Sequence, residues 1–151
     1  MPVRDNNEAN HHGNKMLFNI ILLSSLAPWA PLPLRLALGA AFIAHGRLKV
    51  FGETAENKKK TLKKIGMPPA ATVLTGVIQV VGGAALIIGF LTQLVGLVMA
   101  IMMIVTTVLS KRQLHLNYLR GYELDLAYLA GALALVFLGG GEFSLDALLG
   151  I

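Results

Sequence analysis

The sequence predicts an all-α integral membrane protein: four helices cross the bilayer as an antiparallel bundle, behind a short N-terminal interfacial or re-entrant segment. Three observations carry this. Hydrophobic residues make up 55% of the 151 positions and charged residues 14%, more apolar surface than a soluble domain of this size can hide. The charges gather in short polar stretches, while the long apolar stretches hold few ionisable groups, most of them near their ends, as expected where lipid is the solvent. Several apolar stretches also approach the length of about 20 residues that a helix needs to cross hydrocarbon. A bilayer offers no water to the backbone, so helices, which bond their own amides, are stable there and isolated strands of this length are not.

Residues 1–15 are polar, with Arg4, Asp5, Asn6, Asn7, His11 and His12, and read as a disordered tail outside the bilayer. Residues 16–151 read as one membrane domain. Its first apolar stretch, Met16 to Leu26, is too short to span, and Trp29 among Pro28, Pro31 and Pro33 suits an interface anchor. A cleaved signal is the rival reading, since Ala27-Pro28-Trp29-Ala30 faintly resembles a small-residue cleavage site, but Pro31 directly after it argues against cleavage. The first span, about 33–50, starts at prolines that sit where a helix needs no amide donor. Arg35 lies near its beginning, and His45, Arg47 and Lys49 lie near its end. A charged connection with Lys58, Lys59, Lys60, Lys63 and Lys64 closes at Gly66, Pro68 and Pro69. The second span, about 70–90, is followed by a tight turn and a third span, about 94–110, rich in Val, Ile and Met and marked at its end by Lys111 and Arg112. A fourth span, about 122–138, stops at Gly139, Gly140 and Gly141 before a short acidic and apolar tail.

Short connections make neighbouring helices antiparallel. The basic residues fall in the first and third loops, whereas the 89–93 turn and the C-terminal tail hold no Lys or Arg. The positive-inside rule therefore places the basic loops in the cytoplasm and both termini outside the inner (cell) membrane. It also accounts for the formal net charge of +5 without a nucleic-acid partner. The absence of cysteine excludes disulfides, thiolate metal sites and a cysteine nucleophile. Any electron chemistry then belongs to a bound organic group, a haem or a partner subunit. Neither the His11–His12 pair nor His115 makes a persuasive metal site. The glycines lie inside apolar helices, without the strand-to-helix setting of a phosphate loop, and read as packing residues. Gly76, Gln79, Gly82 and Gly83 with Thr72 and Thr75 form one small face, and Glu123, Ala127, Ala130, Gly131 and Ala134 form another.

Antiparallel packing sets the end of the first span beside the start of the fourth, so His45, Arg47 and Lys49 can meet Glu123 and Asp125. Structural ion pairing, Lys49 with Asp125 among the candidates, is the simpler reading, and a proton relay or ligand site is the sharper one. On the opposite side Arg35 and Asp146 can clamp the tail across the mouth of the bundle, with lipid-headgroup contact by Arg35 as the alternative. Gln79, near the middle of the second span and roughly level with Gly39 and Phe42, needs a partner for its amide. A neighbouring helix can supply one. So can the headgroup carbonyl of a quinone-like ligand between Phe42 and the face of Met99, Met102, Met103 and Thr106, although Met at this spacing more often packs helices.

The ordered series Leu34-Arg35-Leu36 with Gly39, His45-Gly46 then Lys49, Gly82-Gly83 running to Gly89-Phe90-Leu91-Thr92, Glu123 opening the last helix, and Gly139-Gly140-Gly141 leading to Ser144-Leu145-Asp146 resembles the DoxX family of small four-helix membrane proteins. The resemblance covers the chain from about Pro33 onward. It implies association with respiratory or sulfur-linked redox complexes and contact with quinone. One departure bears on chemistry: where the family often carries a glutamate shortly before the paired glycines, this chain has Gln79, which keeps hydrogen bonding and loses the titratable proton.

The expectation is an accessory or anchor subunit of a membrane redox assembly rather than an independent enzyme. Its partners would be the lipid bilayer with other membrane subunits or further copies of itself, and its ligand residues would be Gln79, His45, Phe42 and Glu123. The alternatives are a small transporter or lipid-handling protein, for which a continuous polar path at mid-membrane is expected, and a purely structural subunit of a larger membrane complex.

Overall fold

The computed structural model describes residues 15, 17–19, 21–22, 24–51, 55–57, 59–60, 63, 66, 68–112 and 123–151. The polar tail up to residue 14 with its histidine pair, Lys58 and Lys64 of the lysine cluster, and the 113–122 connection with His115 and Arg120 lie outside them. Among the described residues the chain is helical and has no strands. A 3-10 turn, Ala27–Trp29, precedes α1 (Pro31–Val50), α2 (Pro69–Ile88), α3 (Thr92–Arg112), α4 (Glu123–Leu138) and a short α5 (Leu145–Leu149). Proline occupies the first turn of both α1 and α2, where its missing amide is one the helix would leave unpaired anyway. Expected and observed boundaries differ by at most about two residues, as helix ends usually do.

α2 ends at Gly89, which adopts the left-handed conformation with φ 72° and donates to the carbonyls of Ala85 and Leu86. The Phe90 amide also returns to Ala85 at 2.9 Å, and this double closure is the usual device by which a glycine stops a helix. The turn is so tight that Leu91 also takes a positive φ, 47°, the only described non-glycine residue to do so.

Three helical segments are long and apolar enough to cross a membrane: Leu17–Val50, Pro69–Ile88 and Thr92–Leu109. α4 has 16 residues, a rise of about 24 Å against a hydrocarbon layer of about 30 Å. α1 packs chiefly on α2 and α3 on α4, while thinner contacts of α2 with α3 and of α1 with α4 join the two pairs.

The α1–α2 pairing has a specific basis. A Cβ on Gly39 would lie 2.6 Å from the Gly83 carbonyl oxygen, one on Gly83 equally close to the Gly39 oxygen, and one on Gly46 2.6 Å from the Gly76 oxygen. The backbones therefore touch at two levels seven residues apart on each helix, in antiparallel register. Only glycine permits this approach, and it is how membrane helices gain packing without help from water. Leu38, Phe42, Leu86, Met99, Ala100, Met103, Ala132 and Leu135 fill the seam between the pairs. Leu74, Val81, Ile101, Val105 and Phe137 are among the large apolar residues that face outward, as the lipid-facing surface of a membrane protein requires.

Candidate functional site

Two polar groupings sit inside this apolar frame, one at each end of α1. At the end bearing the α2–α3 turn, Arg35 is 1% exposed. Its Nε donates to the Leu86 carbonyl at 2.9 Å, and Nη2 donates to Ile87 and Phe143 at 3.0 Å each. Nη1 donates to Gly140. Leu86 and Ile87 lie in the last turn of α2, where carbonyls lack intrahelical donors and carry the negative end of the helix dipole. The guanidinium fork thus caps α2 and ties it to the tail.

Asp146 does the complementary task. Its carboxylate accepts from the amides of Leu91 at 2.6 Å and Thr92 at 2.8 Å, at the start of α3, while its own amide donates to the Gly89 carbonyl at 2.9 Å. Ser144 caps α5 by accepting from Ala147 at 3.0 Å. The Trp29 and Phe143 rings lie 4.3 Å apart at their centroids, closing the same corner. Among the described residues Arg35 and Asp146 form no direct ion pair; each binds backbone, and they meet through the turn between them. Space there is short: a Cβ on Gly89 would lie 2.6 Å from the Ser144 Cβ and 2.7 Å from the Arg35 Cζ.

The second grouping lies along the seam and toward the other end. Gln79 is 3% exposed, and its Oε1 has no hydrogen-bond partner. Since Gly76 faces Gly46 and the register is antiparallel, three residues onward brings Gln79 level with Ile43 and beside the turn that carries Phe42. Phe42 is fully buried, with its ring 5.6 Å from that of Tyr128. His45, one turn along, is half-buried and sets its ring edge-on to Tyr128 at 5.5 Å. Its Nδ1 donates to the Ala41 carbonyl at 2.9 Å, which leaves Nε2 as the second polar atom of the ring. Met99 and Met103 are buried and Met102 is half-buried beside them.

Asp125 is half-buried, within electrostatic reach of Lys49 and His45 and near Thr106, whose hydroxyl donates to the Met102 and Met103 carbonyls at 3.1 Å each. Glu123, two residues earlier, is exposed, because positions two apart on a helix point to different sides. The structure thus brings Gln79, Phe42 and His45 to one seam with Asp125 and leaves Glu123 on the surface. Tyr128, absent from the sequence-level candidates, joins Phe42 to His45. Its spacing of three from Asp125 was the available signal. In the connection between α1 and α2, Lys59 donates to Glu56 at 2.9 Å and holds that carboxyl below its ordinary range by this hydrogen bond and its charge. Among the described residues no group of three or more His, Cys, Asp or Glu is placed to hold a metal ion.

A model of one protein family, described as DoxX, matches residues 30–112, which contain α1, α2, α3 and both backbone-contact glycine pairs. The chain belongs to the DoxX family. No curated protein and no solved structure matches it. The matched region carries Arg35, Phe42, His45, Lys49 and Gln79, while Asp125, Tyr128 and Asp146 lie beyond it. Membership and the apolar helices together make this a membrane protein of that family.

Proposed function

We propose that this DoxX-family protein spans the inner membrane four times as an antiparallel bundle and serves as an accessory or anchor subunit of a membrane redox complex, with a quinone headgroup held at Gln79. Its basic loops face the cytoplasm and its termini the outside. Its partners are lipid, neighbouring membrane subunits or further copies of the chain. The observation that carries the reading is the buried Gln79 carbonyl oxygen without a partner: a buried polar atom costs about 1–3 kcal/mol when left unpaired, and this acceptor is one that the hydroxyl of the reduced form of a quinone satisfies.

The surroundings suit a flat, weakly polar ring. Phe42 and Tyr128 offer aromatic faces, and the thioethers of Met99, Met102 and Met103 adapt to irregular shapes. The carboxamide can present its NH2 to a quinone oxygen or its oxygen to a hydroxyl. A bound quinone would supply the electron-carrying chemistry that a cysteine-free chain lacks. His45 contributes Nε2 on the same seam. Glu123, being exposed, suits contact with a partner subunit better than contact with the headgroup.

The test is gentle purification in native lipid. Quinone and redox subunits should co-purify with the wild type, and Gln79→Leu should lose quinone while keeping its fold. Quinone content unchanged in that variant would remove Gln79 from the site, and a solitary wild-type chain that moves a solute across liposomes would replace the proposal with transport.

A further inference from the structure

A cavity of about 270 Å³ lies at the end of the bundle that bears the α2–α3 turn, apart from the seam. Thr92, Gln93 and Leu94 at the start of α3 line one side of it, and Gly139, Gly140 and Asp146 line the other. The volume falls just under the usual range of small-molecule sites, about 300–1,000 Å³, so it suits one small ring. Its walls offer both halves of a hydrogen bond. Val95 is the first residue of α3 whose amide returns along the chain, to the Leu91 carbonyl at 2.9 Å, so the amides of Gln93 and Leu94 precede the helix's own bonding. The Gln93 carboxamide reaches across the same floor, since a Cβ on Gly139 would lie 3.7 Å from its Nε2. Thr92 is 0% exposed and its hydroxyl has no hydrogen-bond partner. That hydroxyl faces Gly140, where a Cβ would lie 3.0 Å from Oγ1. On the acceptor side, the Asp146 carboxylate takes one amide on each oxygen, at 2.6 and 2.8 Å, whereas an ionised carboxylate has about four lone-pair sites.

Charge then decides what fits. An anion entering the cavity meets the Asp146 carboxylate. A cation meets the positive end of the α3 dipole and, behind Gly140, the Arg35 guanidinium that donates to the Gly140 carbonyl. A hydroxyl carries no charge and both donates and accepts through one oxygen, so it can give its hydrogen to Asp146 and receive one from an α3 amide or from Thr92. We propose that this cavity binds a neutral group with adjacent hydroxyls, the size of one sugar ring, between the Asp146 carboxylate and the start of α3. Leu91, Leu94 and Ile151 complete the lining and are exposed, so the ring can arrive as the headgroup of a glycolipid or as a free sugar from the aqueous side, with the same hydroxyl chemistry. The site shares no residue with the quinone reading and does not depend on it.

The experiment titrates the full chain, held in phosphatidylcholine nanodiscs, with two probes: methyl glucoside in solution, read by saturation-transfer NMR, and a monoglucosyl diacylglycerol in the bilayer, read by native mass spectrometry. Saturable binding of the glycolipid alone identifies a lipid headgroup, and saturable binding of both identifies a sugar taken from water; either supports the site. Gln93→Leu, at an exposed position, and Thr92→Val, which keeps the side-chain shape and removes the hydroxyl, should each weaken binding by roughly threefold to tenfold, the worth of about one hydrogen bond. Gln79→Leu, in the seam, should leave it unchanged. If Thr92→Val does not fold, Gln93→Leu decides alone. Neither glucoside binding saturably, an affinity that the folded variants at Gln93 and Thr92 leave unaltered, or a preference for phosphatidylethanolamine or phosphatidic acid over the glycolipid would overturn the proposal.

Discussion

Replacing Arg35 is the perturbation that best separates a packed tail from a loose one. The guanidinium serves four carbonyls, two in the last turn of α2 and two in the tail, from a position 1% exposed. Arg35→Met keeps much of the side-chain volume and removes every donor, and its cost should be about 3–5 kcal/mol, because it leaves several buried carbonyls unpaired at about 1–3 kcal/mol each. Arg35→Lys keeps the charge but replaces a planar fork by three donors on one atom. It loses at least one charge-assisted bond, so its cost should be about 1.5–3 kcal/mol. Unfolding of the purified protein in mixed micelles measures both. Trp29, the single tryptophan, packs on Phe143 and reports the tail directly, so its emission should change in Arg35→Met before the helices unfold. Arg35→Met with a wild-type unfolding free energy and unaltered Trp29 emission would refute the assignment of Arg35 as the tie between α2 and the tail.

Two further outcomes follow from the same packing. Gly83→Ala places a methyl 2.6 Å from the Gly39 carbonyl oxygen; because backbone cannot yield as a side chain can, it should destabilise by about 1–3 kcal/mol, and Gly66→Ala, with nothing within 4 Å of its Cβ, should leave the α1–α2 contact untouched. Since the chain contains no cysteine, single cysteines report topology directly: Lys60→Cys should react with an impermeant maleimide only from the cytoplasmic side and Glu142→Cys only from outside, and labelling of both from one side would reject an odd number of crossings, α2, α3 and α4, between them.

Much of the helical frame was legible in the sequence, and the reason is the solvent. Apolar stretches bounded by proline, glycine and charge leave a backbone in hydrocarbon one regular option, so the positions of α1 to α4 follow from composition alone. Pairwise register was harder to see. Gly39 and Gly46 are seven apart, as are Gly76 and Gly83, but only the two sets together make an antiparallel contact, and nothing local announces which helices will meet. The inward residues were legible where size decides, as with Phe42 and Met99, and illegible where the angle around the helix decides. Glu123 and Asp125 both open α4, and two positions of helical rotation separate a surface acid from one in the seam. Tyr128 was hidden for the same reason: its spacing of three from Asp125 put it on the same side of α4, but its importance comes from touching α1.

Arg35 and Asp146 show why opposite charges in an apolar setting need not pair with each other. A direct pair would satisfy the two side chains and leave unpaired the carbonyls that end α2 and the amides that begin α3, eight groups by the usual count of four at each helix end. By addressing backbone instead, each charge faces a helix end of opposite partial sign, and one Arg and one Asp close the turn from both sides. The arrangement carries no net formal charge, so the turn can sit near lipid without an uncompensated ion. It also makes the tail part of the turn. α5 is held where the Asp146 amide meets the Gly89 carbonyl, in a space that a Cβ on Gly89 would fill, so the glycine that ends α2 is also the one that admits Arg35.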